Sequence, residues 1–519
     1  MNVSASKTLR RASLALAVAF ALTATAVPSA AQTIKFLAVN PQQVGLAAPA
    51  DLGLPTALWK GSTRESLVEA VDSVAGTASL LSAHQALRDL LIADAPLPEG
   101  KALDPPLTAL RVRALARLGA SQEALSLAER APDEFRTGTL LDAEREARLL
   151  RYDLSGACGL LRETAAQATQ PDWQRLRAVC RQIFGEDAEA TVAAILAEIV
   201  QPASDETFGA LFLAMQYPER PKPAGLLPER PLHLAMLRFL QLPLALNSGL
   251  PPNPPALLAG IAATPRVPPG LRVRAAEQAV AANAGAVEPL IQLYLQTGAT
   301  EGLAPLYRQA AYAANATERQ DGLQQLWEEA RQRELLAQFA PYTLGLAATL
   351  DKDSLPAPFL KMAIRVALLS GEPAAITAWR NGVEAKAGQP DGKAVFDTSL
   401  PLLAIAGEPL PPATQWWSDW LAAAKPTDQQ QQLAGGLMGA LGQSFAIAPS
   451  PQIPATAVTQ PILNAKDAPG EAALRALAAL SQAEDPDAAL QVIAVRALAK
   501  VHPGHARALA VELAIAAGL

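Results

Sequence analysis

Apolar positions along this chain return three and four residues apart, in short bursts closed by proline, glycine or a polar turn. That spacing predicts amphipathic helices rather than strands. The clearest order lies between Leu107 and Asp205, where shifting the sequence by 33 residues superposes three units. Leu107, Leu140 and Trp173 open them, and Leu110, Ala143 and Leu176 follow in register. So do Ala114, Ala147 and Cys180, then Ala124, Ala157 and Ala190, then Ala128, Leu161 and Ala194. A unit of this length holds two short helices and two turns.

In the first and third units Gly119 and Gly185 stand five residues before the register alanine. Each glycine can end helix A in a left-handed conformation. Each alanine then starts helix B with a side chain small enough for close approach. Ala131 and Ala197 return on that face seven residues on, with Thr164 between them in the middle unit. The Gly119/Ala124/Ala131 and Gly185/Ala190/Ala197 spacing resembles the second half of the tetratricopeptide repeat motif. The first-helix Trp-Leu-Gly-Tyr set of that family is missing, and Tyr152 stands where the middle unit would carry glycine. The resemblance covers about 100 residues and implies an all-α solenoid of helix-turn-helix repeats with a protein-binding role.

Outside the repeats the pattern divides the chain further. Residues 1–31 read as a signal peptide: Lys7, Arg10 and Arg11 form a basic start, Ala12 to Val27 is uncharged, and Ser29 and Ala31 suit cleavage after Ala31. Residues 32–60, with Pro41, Pro49 and Pro55, are expected to be extended. Residues 61–215 form the repeat domain, opened by a capping box at Ser62-Thr63-Arg64-Glu65 and a partner helix over 79–94. Asp104-Pro105 predicts the cap and first residue of the next helix. Residues 216–270, where Pro-Glu-Arg-Pro occurs twice and five residues around Asn253 are nearly all proline, read as a hinge with one short helix near 232–241. A second helical array is expected over 271–445, a Pro-rich linker over 446–469, and three C-terminal helices over 470–519.

Composition agrees with that picture. Half of the 519 residues are hydrophobic yet only 5% are aromatic, so the apolar content is mostly Ala and Leu, which favour helix. The 43 prolines keep the helices short. The formal charge of −6 becomes −9 once the leader leaves, because residues 1–31 carry three basic side chains and no acid. An acidic chain with no basic stripe is a poor partner for nucleic acid, and no later apolar run has membrane-spanning length.

Candidate chemistry is sparse. Cys158 and Cys180 lie eleven residues either side of Thr169, in the turn Thr169-Gln170-Pro171-Asp172, so an antiparallel hairpin sets them at similar heights. An exported chain could join them in a disulfide; the alternative is two separate buried thiols. Without a Cys-x-x-Cys they are not a redox pair. His84 reads as a partly exposed helix residue. His502 and His505 flank Pro503-Gly504 and read as a polar turn before the last helix rather than a metal site. Gly388-Gln389-Pro390-Asp391-Gly392-Lys393 is one residue short of a phosphate loop. Glu65-Ser66 and Gly436-Leu437-Met438-Gly439 partly resemble the signatures of exported lytic transglycosylases, but lie some 370 residues apart. No nucleophile elbow occurs. Trp416, Trp417 and Trp420 share a helix expected over 413–424, and are either packing or a binding surface for peptide or glycan.

These readings assign no catalytic residue, metal or cofactor. They favour an exported, periplasmic or secreted, interaction scaffold whose partner is a protein or peptide. The alternatives are an envelope enzyme, or a regulator of a cell-wall enzyme, with an unrecognised site, and a self-assembling structural component.

Overall fold

The computed structural model describes residues 44–519, less 75, 77–78, 99, 101–104, 134–135, 137, 164–169, 185–204, 220–225, 244–249, 251–253, 297–299 and 444–448. The expected leader at 1–31, together with Asp104, Thr164, Thr169, Gly185, Ala190, Ala194 and Ala197, falls outside the described residues.

Helix A of the first repeat, α3 (Leu107–Arg117), turns at Gly119 into helix B, α4 (Ser121–Arg130). They follow α1 (Arg64–Asp72) and α2 (Leu81–Ile92). The middle unit supplies α5 (Gly138–Leu150) and α6 (Leu154–Gly159), and the third opens with α7 (Pro171–Phe184). Leu110, Ala114, Ala124 and Ala128 of the register are buried, as are Leu140, Ala143, Ala147, Ala157, Trp173 and Leu176. Gly119 has φ +85°, and a Cβ there would meet Ala284 at 2.5 Å, so both conformation and crowding demand glycine. Tyr152, at the equivalent turn of the middle unit, takes φ +63° without glycine's freedom. The turn geometry is therefore kept where the motif residue is lost.

The chain continues through α8 (Glu206–Gln216), α9 (Pro231–Phe239), α10 (Pro255–Ala262) and α11 (Pro269–Ala281). Next come α12 (Val287–Gln296), α13 (Ala304–Ala311), α14 (Ala316–Gln332), α15 (Leu336–Ala347), α16 (Ala357–Ser370) and α17 (Pro373–Ala385). The remainder is α18 (Pro390–Ala406), α19 (Ala413–Ala424), α20 (Asp428–Ala440), α21 (Thr459–Asn464), α22 (Pro469–Gln482), α23 (Ala488–Ala499) and α24 (Pro503–Ala516). The fold is an all-α helical-repeat solenoid, 69% helix, with 24 helices packed in pairs and no strand among the described residues. None of these helices is long and apolar enough to cross a membrane.

Several prolines expected to mark linkers instead begin helices. Pro231, Pro255 and Pro269 open α9, α10 and α11 within or at the edge of the 216–270 stretch, which holds two whole helices rather than one. Proline's fixed φ suits the first helical position, where its missing N–H is no loss. The 446–469 stretch likewise contains α21 and the start of α22. Residues from Asn40 to Leu519 form one compact unit.

Two helix starts differ from expectation by a residue or two. The capping box of α1 joins Thr63 to Ser66 rather than Ser62 to Glu65, and Ser66 also donates to Glu471 of α22. Helix α3 starts at Leu107 after Pro106, not at Pro105. Within the segment expected to be extended, Pro49–Leu52 instead forms a short 3-10 helix, for which Pro49 supplies the fixed φ of a first helical residue, and residues 56–61 form a turn. Residues 44–48 run beside the end of α2, where Leu46 N–H donates to Ile92 O and Asp94 N–H to Ala47 O. Arg111 of α3, fully buried, holds that junction by donating to the carbonyls of Leu91, Ala93 and Val44. Burial lowers its pKa to about 10, against the opposing pull of Asp94.

The line of hairpins closes on itself. Helix α22 packs on α1 and α2, and α24 packs on α2, α16 and α18. The first two described helices and the C-terminal ones thus share one core.

Candidate functional site

A cavity of about 80 Å³ opens where α7, α8 and α9 begin, beside the second half of α5. Trp173 anchors it: the buried indole donates Nε1–H to Asp142 Oδ1 at 2.6 Å, tying α7 to α5. One turn along α5, the Arg145 guanidinium lies 4.8 Å over that indole and within 3.8 Å of Asp172. A buried arginine held by cation–π and ionic contacts is rigid. Asp172 also receives Arg175 at 2.9 Å and Arg230 at 2.8 Å.

Asp205 closes the cluster. As the N-cap of α8 it accepts the Phe208 N–H at 3.0 Å, and its second oxygen meets His233 Nε2 at 2.9 Å. His233 Nδ1 accepts the Glu229 N–H at 3.3 Å, so the neutral ring carries its proton on Nε2 and donates to Asp205. Burial pushes the Asp205 carboxyl up, but the hydrogen bonds from His233 and Phe208 outweigh it and bring the pKa to about 2.

Three helix N-termini with their partial positive charge meet here with three arginines. The chain's own Asp172 and Asp205 occupy the places an anion would take. The lining residues include no hydroxyl or thiol nucleophile. The cluster's physical effect is to fix the angle and spacing of three helices.

Those helices have a second property in common. Helix α7 ends in Phe184, α8 is followed by Tyr217 and α9 ends in Phe239, and all three aromatics are exposed, Phe184 to 60%. They lie one helix length, roughly 13–21 Å, from the charged cluster. Tyr152, after α5, is exposed too, and the Arg238 guanidinium lies 5.4 Å over its ring, beside Phe239.

The residues singled out from sequence lie elsewhere or play other parts. Cys158 of α6 and Cys180 of α7 are joined by a disulfide, with Cα atoms 5.7 Å apart. The bond ties the pocket's α7 to the preceding hairpin. Trp416, Trp417 and Trp420 are only 2%, 5% and 1% exposed, so they do not form a binding surface. They pack edge-on or tilted against one another, with the rings of Trp417 and Trp420 4.8 Å apart, and fill space that Ala-rich neighbours cannot. His84 is buried rather than partly exposed, and burial with nearby Arg88 lowers its pKa to about 4. Gly388–Lys393 is the turn into α18, where Lys393 pairs with Asp397 at 2.7 Å.

Sequence reasoning missed the charged cluster because Arg145, Asp172, Arg175, Asp205, Arg230 and His233 follow no motif spacing. The available signals were local: Pro171-Asp172, Asp205-Glu206 and Arg230-Pro231 each mark a helix start.

No protein-family model matches this chain, and no curated protein or solved structure matches it.

Proposed function

We propose that this protein is an exported helical-repeat scaffold in the cell envelope that holds a protein or peptide partner on the aromatic ends of α7, α8 and α9. The observation behind this reading is that three helices clamped together at their starts by the Arg145–His233 cluster each carry an exposed aromatic at or directly after their far end. Exposed large aromatics are the residue type that carries binding energy at interfaces. Holding them on rigid helices lowers the entropy lost on docking. The charged cluster and the Cys158–Cys180 disulfide serve as the frame, and Phe184, Tyr217 and Phe239 as the contact.

Crosslinking in the native envelope followed by affinity capture tests this. A Phe184→Ser, Tyr217→Ser and Phe239→Ser variant, with its helix content and melting temperature unchanged, is expected to lose the partner captured by the wild type. Capture of the same partner at the same yield would overturn the reading. Fractionation and N-terminal sequencing of the mature chain test export.

A further inference from the structure

Asp89, near the end of α2, and His502 and His505, at the start of α24, come together across more than 400 residues of chain. One atom from each lies within 4.8 Å of the other two. His505 Nε2 meets Asp89 Oδ2 at 3.0 Å, close to the edge of a tetrahedron drawn around an ion with ligand distances of about 2.0–2.1 Å. The two imidazole rings are tilted 37° to one another, with centroids 3.9 Å apart.

The surroundings hold each group in its orientation. Arg88 Nη2 holds the other Asp89 oxygen, Oδ1, at 3.3 Å, which leaves Oδ2 turned to the histidines. His502 Nδ1 accepts the His505 N–H at 3.1 Å, while the ring also bonds the Leu52 backbone. With the proton on the nitrogen facing Leu52, Nδ1 keeps its lone pair. Gly53, at φ +70°, follows, and a Cβ there would stand 3.3 Å from His502 Nε2. The short helical turn Pro49–Leu52 therefore covers the cluster closely.

We propose that Asp89 Oδ2, His502 Nδ1 and His505 Nε2 bind one divalent transition metal of the Zn²⁺ class, clamping α2 to α24. Two imidazoles and one carboxylate suit such an ion, and a water completes four-coordination. The ion replaces the Asp89–His505 hydrogen bond and releases the His505 N–H from His502. A Pro-Gly break between the two histidines suits a cap rather than a helical metalloprotease pair, which is why their spacing alone shows nothing. The third ligand comes from the other end of the chain.

The test uses the full mature chain, stripped with chelator and titrated with Co²⁺ and Zn²⁺ alone. One equivalent of Co²⁺ is expected to give the intense visible bands of a tetrahedral site, and Zn²⁺ to bleach them and raise the melting temperature. His505→Gln and Asp89→Asn should each weaken metal binding at least tenfold. His502→Gln, which keeps a capping acceptor, separates a binding effect from loss of the helix cap. Absence of both the bands and the melting shift in the wild type would overturn the proposal. So would bands that persist unchanged in the His505→Gln and Asp89→Asn variants.

Discussion

Glu512, on the last helix, accepts the backbone N–H of Ser82 at 2.9 Å, and that of Leu81 at 2.7 Å, capping the second helix from 430 residues away. Helix α2 needs this, because its own N-cap is Leu80, which has no side-chain acceptor to offer. Asp89 and His505 join the same two helices at their other ends. The closure of the fold is thus reinforced by polar contacts between residues more than 400 positions apart.

Glu512→Gln is expected to destabilise the protein by about 1–3 kcal/mol near pH 4.5, since one amide oxygen faces two buried N–H groups. Burial raises the Glu512 pKa above the ordinary 4.5, against the Ser82 and Leu81 hydrogen bonds. The folded state therefore holds this proton more tightly than the unfolded chain does. Its contribution is fullest below that ordinary value and declines as pH rises through the folded pKa. Urea unfolding at a series of pH values should show the gap between wild type and variant narrowing upward. A gap that widens would contradict this.

Arg111→Ala leaves the carbonyls of Leu91, Ala93 and Val44 without their buried donor. A loss of about 1–3 kcal/mol is expected, as for buried acceptors left without a donor. Limited proteolysis should then cut the segment before Arg64 faster than in the wild type.

The Cys158–Cys180 bond closes a loop with a sequence separation of 22. The chain-entropy relation gives about 3 kcal/mol for a loop of that size. Replacing both cysteines with alanine should lower the unfolding free energy by that order. Reductant should produce a comparable drop in the wild type and none in the variant.

Trp416→Ala and Trp420→Ala each open a cavity in the core and should cost about 3–5 kcal/mol. Partner capture per folded molecule should not change, because the rings are buried. Acrylamide quenching of variants that keep only this Trp cluster checks the burial directly.

Asp205 contributes with the opposite pH sign to Glu512. Its pKa, about 2, lies below the ordinary 3.8, so its stabilisation is present above 3.8 and is lost as pH falls towards 2. The shift corresponds to about 2 kcal/mol. Asp205→Asn should remove that acid-side slope, which circular dichroism followed from pH 5 downward would show.

Much of the architecture was legible without coordinates. The span 413–424, the helix after residue 79 and the three helices at the C-terminus all follow from apolar spacing and local breakers. Gly119 announced its left-handed turn, yet Tyr152 adopts the same turn without announcing it. Prolines misled, because Pro231, Pro255 and Pro269 start helices, and a proline that starts a helix looks like one that ends it until the following residues are seen to pack.

The amino-acid order by itself determined that this chain is helical and built of hairpins. Helix formation, capping and amphipathic spacing depend on residues within a few positions of each other. Only the tertiary structure decided that Glu512 caps Ser82, that Asp205 meets His233, and that α24 returns to α2. Those contacts depend on which surfaces remain uncovered after every hairpin has found its neighbour, and local spacing carries no record of them.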